Sequence, residues 1–156
     1  MVTTSTGGSI AEIAAGLRLA VVRTARRLRQ DALEAEGRGV LSPTLNSALA
    51  TVDLHGPLTP SELAERERIR RPTATRIVSS LVDLGLASRT PDPSDGRGYL
   101  VATTPEGAAL MRRLRKRKNA YLAKRMRDLG PDEVESLARA AEILERLLEQ
   151  DSVTRT

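Results

Sequence analysis

Phenylalanine, tryptophan and cysteine are all missing from these 156 residues, and histidine occurs once. Without cysteine there are no disulfides, no thiolate metal sites and no thiol redox sensing. The lone His55 leaves little scope for imidazole metal clusters or His-based acid–base chemistry. Tyr99 and Tyr121 are the only aromatics, so the core has to be aliphatic. Leu, Ala, Val and Ile at helical spacing favour a mostly helical protein. No apolar run approaches the roughly 20 residues of a membrane span. The first residues also lack the basic-then-apolar pattern of an export signal, and a soluble cytoplasmic protein is expected. Ser-His-Asp, paired-carboxylate and phosphate-loop patterns are absent too, so neither an enzyme activity nor a cofactor or metal is expected.

What is there begins with charge. Basic residues number 25 against 20 acidic, a net charge of +5, which permits a nucleic-acid partner without demanding one. The length suits one domain, or one domain with appended helices. Residues 1–8 are small and polar and read as a frayed arm, leaving 9–156 as a single domain. Ser9 with Glu12 forms a capping box. Ile10, Ile13, Leu17, Val21, Thr24 and Leu28 follow on one stripe, giving a helix to about Glu36 that Gly37 and Gly39 end.

Proline placement marks the other helix starts. Pro43, Pro60, Pro72, Pro105 and Pro131 each sit where a first helical residue would, because that position has no partner for its N–H. Ser42, Thr59 and Thr104 precede three of them as N-caps, and Thr59 with Glu62 makes a second capping box. This predicts helices over 43–54, 60–66, 72–84, 105–128 and 131–150. Short strands at 86–90 and 99–103 flank a turn-rich segment, 91–98. The expected fold is mainly α with a small β-hairpin wing. A winged helix-turn-helix occupies 58–104, and the flanking helices 9–36 and 105–150 serve dimerisation.

Helix, turn, helix and hairpin in that order form a device for reading DNA. Ala64 is small where two helices must cross closely, and Ile69 is apolar within a charged turn that it can plug. Ile77, Leu81 and Leu84 give the second helix its buried face. Its exposed start carries Arg71, Thr73, Ala74, Thr75 and Arg76. Arg76 can fork onto guanine or phosphate, and the threonines offer hydroxyls and methyls. Around this helix, Arg66, Arg68, Arg70 and Arg71 make the better phosphate patch. In the hairpin tip, Asp95 lies two residues before Arg97. The carboxylate is expected to brace the guanidinium for entry into a narrow minor groove.

Other features read as structural. The run Arg112 to Lys118 wraps more than a full helical turn, so its charges cannot all face one duplex. A solvated face paired with Glu and Asp of neighbouring helices is expected. His55, beside Gly56, is expected to cap last-turn carbonyls. For dimerisation, Ile10, Ile13, Leu17 and Val21 are expected to pack with Val134, Leu137, Ala141, Leu144 and Leu148. Leu110, Leu114, Tyr121 and Leu122 add a further stripe.

The segment from Leu58 to Leu110 resembles the core of the multiple-antibiotic-resistance regulator (MarR) family of bacterial transcription factors. The resemblance rests on Glu62-Leu63-Ala64, the run Thr75 to Val78, Leu84-Gly85-Leu86, Asp92 to Asp95, Arg97 and Thr104 to Gly107, and the flanking helices fit it too. It implies a homodimer bound to a palindromic operator in the bacterial cytoplasm, at the nucleoid. Thr73, Thr75 and Arg76 would touch the major groove and Arg97 the minor groove. The family often has two consecutive basic residues at the wing tip, and here Gly96 replaces the first. Family members commonly respond to small phenolic or lipophilic anions held between the dimer helices and the winged domain. A repressor released by such an effector is therefore expected. A constitutive or architectural DNA-binding protein is the alternative.

Overall fold

The computed structural model describes residues 8–37 and 41–153. The expected arm, apart from Gly8, and the helix stop at Gly39 lie outside them. The chain forms α1 (Ile10–Ala35), α2 (Pro43–His55), α3 (Pro60–Glu67), α4 (Arg71–Asp83), β1 (Ala87–Asp92), β2 (Asp95–Thr103), α5 (Pro105–Met126) and α6 (Pro131–Val153). It divides into two compact units, Met1–Lys118 and Asn119–Thr156.

The helix starts follow local chemistry. The Ser9–Glu12 and Thr59–Glu62 capping boxes are both closed, and Ser42 Oγ accepts the Leu45 N–H at 3.2 Å. Each satisfies N–H groups that have no partner within the helix. Four of the five marker prolines are first helical residues; Pro72 is second, after Arg71. The shift is tolerated because the second residue also lacks an intrahelical acceptor for its N–H. Gly37, at φ +100°, follows the end of α1.

In the first unit, α2, α3 and α4 enclose one aliphatic core with β2 and the start of α5. Leu49, Val52, Leu63, Val78, Leu81, Val101 and Leu114 are fully buried. Leu110 and Leu114, expected at a dimer face, belong to this core, because their stripe faces inward over the first turns of α5. Two expectations for α4 are corrected. Ala74 is fully buried while Leu84 is half exposed. Ala74, Ile77, Val78 and Leu81 are the buried set, spaced three and four apart as one helical stripe requires. Leu84 is already the C-cap, beyond the last turn that faces inward.

The joint between α4 and α5 is tight. Gly85 takes φ +71°, the left-handed conformation that ends a helix. Thr104 Oγ1 donates to the Gly85 carbonyl at 2.6 Å and accepts the Gly107 N–H at 3.1 Å. Gly107 passes so close to the Leu86 carbonyl that a Cβ there would lie 2.0 Å from its oxygen.

The hairpin is longer than expected. β1 and β2 pair from Ala87↔Thr103 to Pro91↔Tyr99 and again at Asp92↔Asp95, across Pro93-Ser94. Asp92 shortens the turn by accepting the Ser94 N–H and O–H at 2.8 and 2.7 Å, a side-chain imitation of a backbone turn. Gly96, Arg97 and Gly98 have no partner across the ladder, so the turn signals seen in 91–98 form a bulge within β2. Leu58 forms a further bridge with Val101 through two backbone bonds.

The basic run on α5 is paired as expected. Arg113 and Arg117 both reach Glu36 at 3.3 and 3.2 Å, and Arg115 reaches Asp53 at 3.3 Å. The early apolar residues of α1 are exposed. Ile10 is 88% exposed, and Ile13, Leu17 and Val21 are also exposed. In the second unit, Glu133 accepts the Gly130 N–H at 2.8 Å beside the start of α6. Val134, Leu137, Ile143 and Leu147 of α6 and Leu122 of α5 are likewise exposed. The Leu148 side chain lies outside the described residues.

Candidate nucleic-acid interface

The turn between α3 and α4 is three residues long, Arg68 to Arg70. Arg68 adopts the left-handed conformation (φ 54°), and the Ile69 N–H returns to the Ala64 carbonyl at 2.9 Å. Ile69 is half-buried against the core and Ala64 is buried, the plug and the close crossing that their residue types suggested. Two helices are thereby held at a fixed corner with the start of α4 outward. Arg70, its N-cap residue, makes no side-chain cap.

On that outward start Arg70, Arg71, Thr75 and Arg76 are exposed and Thr73 is half-buried. Thr75 Oγ1 donates to the Arg71 carbonyl at 3.1 Å. That bond leaves the hydroxyl's lone pairs and the methyl available. Arg71 and Arg97 line one cleft together with Thr59, Ser61, Asp95 and Tyr99. The start of α4 and the wing therefore border one cleft, which sequence spacing alone does not require.

The expected Asp95–Arg97 brace takes another form. Asp95 Oδ1 accepts the backbone N–H of Arg97 at 3.0 Å, and no ion pair joins the two side chains among the described residues. At two residues' separation the carboxylate meets the peptide N–H first, as in an Asx turn. The bond constrains the backbone of the tip and leaves the guanidinium outside any ion pair among the described residues.

Electrostatics separate this face from α5. Among the described residues, Arg68, Arg70, Arg71, Arg76 and Arg97 form no ion pair within 4.0 Å, whereas three cations of α5 are paired. The carboxylates near the site are committed to local hydrogen bonds. Glu62 is held below the usual carboxylate range by the Thr59 N–H and O–H. Asp92 is held low by the Ser94 O–H and N–H. Unpaired guanidiniums on a solvated surface are what backbone phosphates recruit.

Sequence reading passed over Arg89. Its Nη2 donates to Ser79 Oγ at 2.6 Å, and its Cζ lies 4.9 Å from the centre of the Tyr99 ring. Arg89 pairs across the ladder with Val101, which makes Tyr99 its diagonal neighbour on β2. The strand alternation carried that signal, but only once the register was known. His55 is exposed at the end of α2.

Among the described residues, no cluster of three or more His, Asp or Glu side chains could hold a metal, and no helix is long and apolar enough to cross a membrane.

The MarR family model matches residues 41–99, from just before α2 into β2 of the wing. An uncharacterised HTH-type transcriptional regulator of Mycobacterium leprae is 37% identical over 142 residues, covering 91% of this chain and 96% of the relative. The multiple antibiotic resistance protein MarR of Salmonella typhimurium is 32% identical over 98 residues, covering 62% of this chain and 68% of the relative. The crystal structure of wild-type apo MarR from E. coli superposes with a TM-score of 0.67 at 23% identity, over 82% of this chain and 96% of that one. That last likeness shows the fold, a winged helix with flanking helices. The chain belongs to the MarR family and is a DNA-binding, winged helix-turn-helix transcriptional regulator.

Proposed function

We propose that the protein is a homodimeric repressor that binds a palindromic operator in the bacterial cytoplasm and is released by a small lipophilic anion. The observation that carries this reading is the convergence of Arg71 and Arg97 on one cleft. It gives each subunit two adjacent arms, one for the major groove and one for the minor groove. Thr73, Thr75 and Arg76 read base edges, Arg70 and Arg71 hold phosphates, and Arg97 enters the minor groove from a tip that Asp95 shapes. Residues 9–156 act as one functional unit, with 9–36 and 105–150 joining the subunits. The exposed apolar residues of α1 and α6 support a second copy as their cover. Two subunits must then present their α4 helices about one DNA turn apart, ~34 Å.

A cavity of about 740 Å³ in the first unit, lined by Leu28, Arg29, Asn46, Thr51, Leu54 and Lys118 among others, supports an effector. Its size suits a small organic molecule. Burial, then Arg29 and Arg115, hold the Lys118 ammonium below its usual pKa; an anion seated there would relieve that repulsion. Asn46 Oδ1 is buried with no hydrogen-bond partner among the described residues, so a polar acceptor lies just beneath the cavity wall. Glu67, at the end of α3, lines the same cavity and accepts from Ser47 and Thr51 of α2. A ligand that disturbs those bonds would therefore tilt the reading head.

The test is a titration of a duplex selected from the host's genomic DNA against a scrambled one at fixed salt, with and without an aromatic carboxylate such as benzoate. Preference for the selected duplex and release by the carboxylate are expected. Equal affinity for both duplexes would instead identify a constitutive or architectural protein.

A further inference from the structure

We propose that Arg89 is the positioning residue that sets the wing against the recognition helix, with Tyr99 as its backing plate. This rests on the reading of α4 and the wing as the two DNA-contacting arms. Arg89 stands on β1 and touches both of them. Toward α4, its guanidinium donates to Ser79 Oγ at 2.6 Å, and that hydroxyl donates onward to the Thr75 carbonyl at 3.1 Å. Toward β2, it lies over the Tyr99 ring at 4.9 Å. Thr75 belongs to the reading turn, and Tyr99 is the residue at which the ladder resumes after the unpaired run that carries Arg97. A line of direct contacts thus runs from a base-reading residue to the root of the wing tip.

The chemistry suits a strut better than a free cation. Only a planar guanidinium can hold a hydroxyl at its edge while its face lies on a ring, and lysine cannot do both. Neither partner is charged, and no ion pair of Arg89 occurs among the described residues. One of the two aromatic side chains in the whole chain is placed here, in a hairpin that holds no other aromatic ring. Without the strut, the unpaired segment 96–98 would leave the tip free to swing relative to α4. Arg97 would then reach the minor groove in only a fraction of bound complexes.

The experiment measures operator affinity for Tyr99→Leu, Tyr99→Phe, Arg89→Lys and Ser79→Ala in the full-length protein, each alone and in an Arg97→Ala background. The duplex is the one selected from genomic DNA, with a scrambled duplex as reference. Tyr99→Leu, Arg89→Lys and Ser79→Ala should each weaken operator binding about three- to tenfold. Restoring the ring with Tyr99→Phe should recover the loss seen in Tyr99→Leu. In the Arg97→Ala background none should weaken binding further, because the wing is already disengaged. Hydroxyl-radical protection of the flanking minor grooves should fade while methylation protection of central guanines persists, which a general loss of stability would not produce. Ser79→Ala spares the core, so the proposal stays testable if Tyr99→Leu unfolds. Wild-type affinity in both Arg89→Lys and Ser79→Ala overturns the strut. So do losses that simply add to Arg97→Ala, since Arg89 would then grip a phosphate itself. Failure of the wild type to prefer the selected duplex is a different result, and it removes the operator reading and the strut together.

Discussion

Replacing Arg76 by alanine separates base reading from bare charge. The side chain is exposed on the first turns of α4 and forms no ion pair among the described residues. Its removal therefore opens no cavity and strands no partner. The free protein should keep its stability to within about 0.5 kcal/mol. A bidentate contact to guanine contributes roughly 1–3 kcal/mol of discrimination, and a homodimer makes it twice. The summed loss on a symmetric operator is roughly 2–6 kcal/mol, about 30-fold to about 20,000-fold in Kd at ~1.4 kcal/mol per decade. The scrambled duplex should lose far less. If Arg76 touched only phosphates, both duplexes would weaken alike, and the log–log salt slope would shrink by about 0.9 for each phosphate left unneutralised. Fluorescence anisotropy on both duplexes at three salt concentrations distinguishes the cases. A variant that keeps the wild-type ratio of affinities would refute the placement of Arg76 against base edges.

Arg97→Ala should weaken operator binding through the wing while sedimentation still shows the dimer; unchanged affinity would remove the wing from the mechanism. Gly107→Ala should destabilise the fold by about 2–3 kcal/mol or more, because both sides of the contact with the Leu86 carbonyl are backbone. A urea midpoint equal to wild type would show that the joint can yield. Glu62 is held low by its Thr59 bonds, so its contribution to stability is present above the unfolded Glu value of about 4.3 and is lost as pH falls through the lower folded value. The stability gap between wild type and Glu62→Gln should accordingly be wider at about pH 7 than at about pH 3. A constant gap would contradict the shift.

Helix starts were legible because Ser42, Thr59 and Thr104 act on their own next few residues, and such local chemistry survives folding. The winged order followed from turn signals for the same reason, and a paired basic face on α5 was expected from composition. Its partners Glu36 and Asp53 lie 77 and 62 residues from Arg113 and Arg115, and only the fold names them. Burial on α4 differs from expectation at Ala74, which shares the inward stripe with Ile77, Val78 and Leu81, and at Leu84, which is the C-cap beyond the last inward turn. The wing resisted reading because its register is set by a side-chain turn at Asp92 and a three-residue bulge, and glycines signal both alike. Arg89 was hidden behind that register. Its partners, Ser79 and Tyr99, are ten residues away in either direction.

The Asp95 carboxylate accepts a peptide N–H, which shapes the backbone of the wing tip without pairing with the Arg97 guanidinium. Freezing that side chain at the moment of contact carries an entropic penalty that a pre-set arginine would avoid. With Arg97 in the minor groove as proposed, the guanidinium could follow grooves of differing width without reshaping the loop beneath it. Flanking sequences should thus be read leniently and the centre of each half-site strictly, so promoters could diverge at their outer edges while remaining under one regulator.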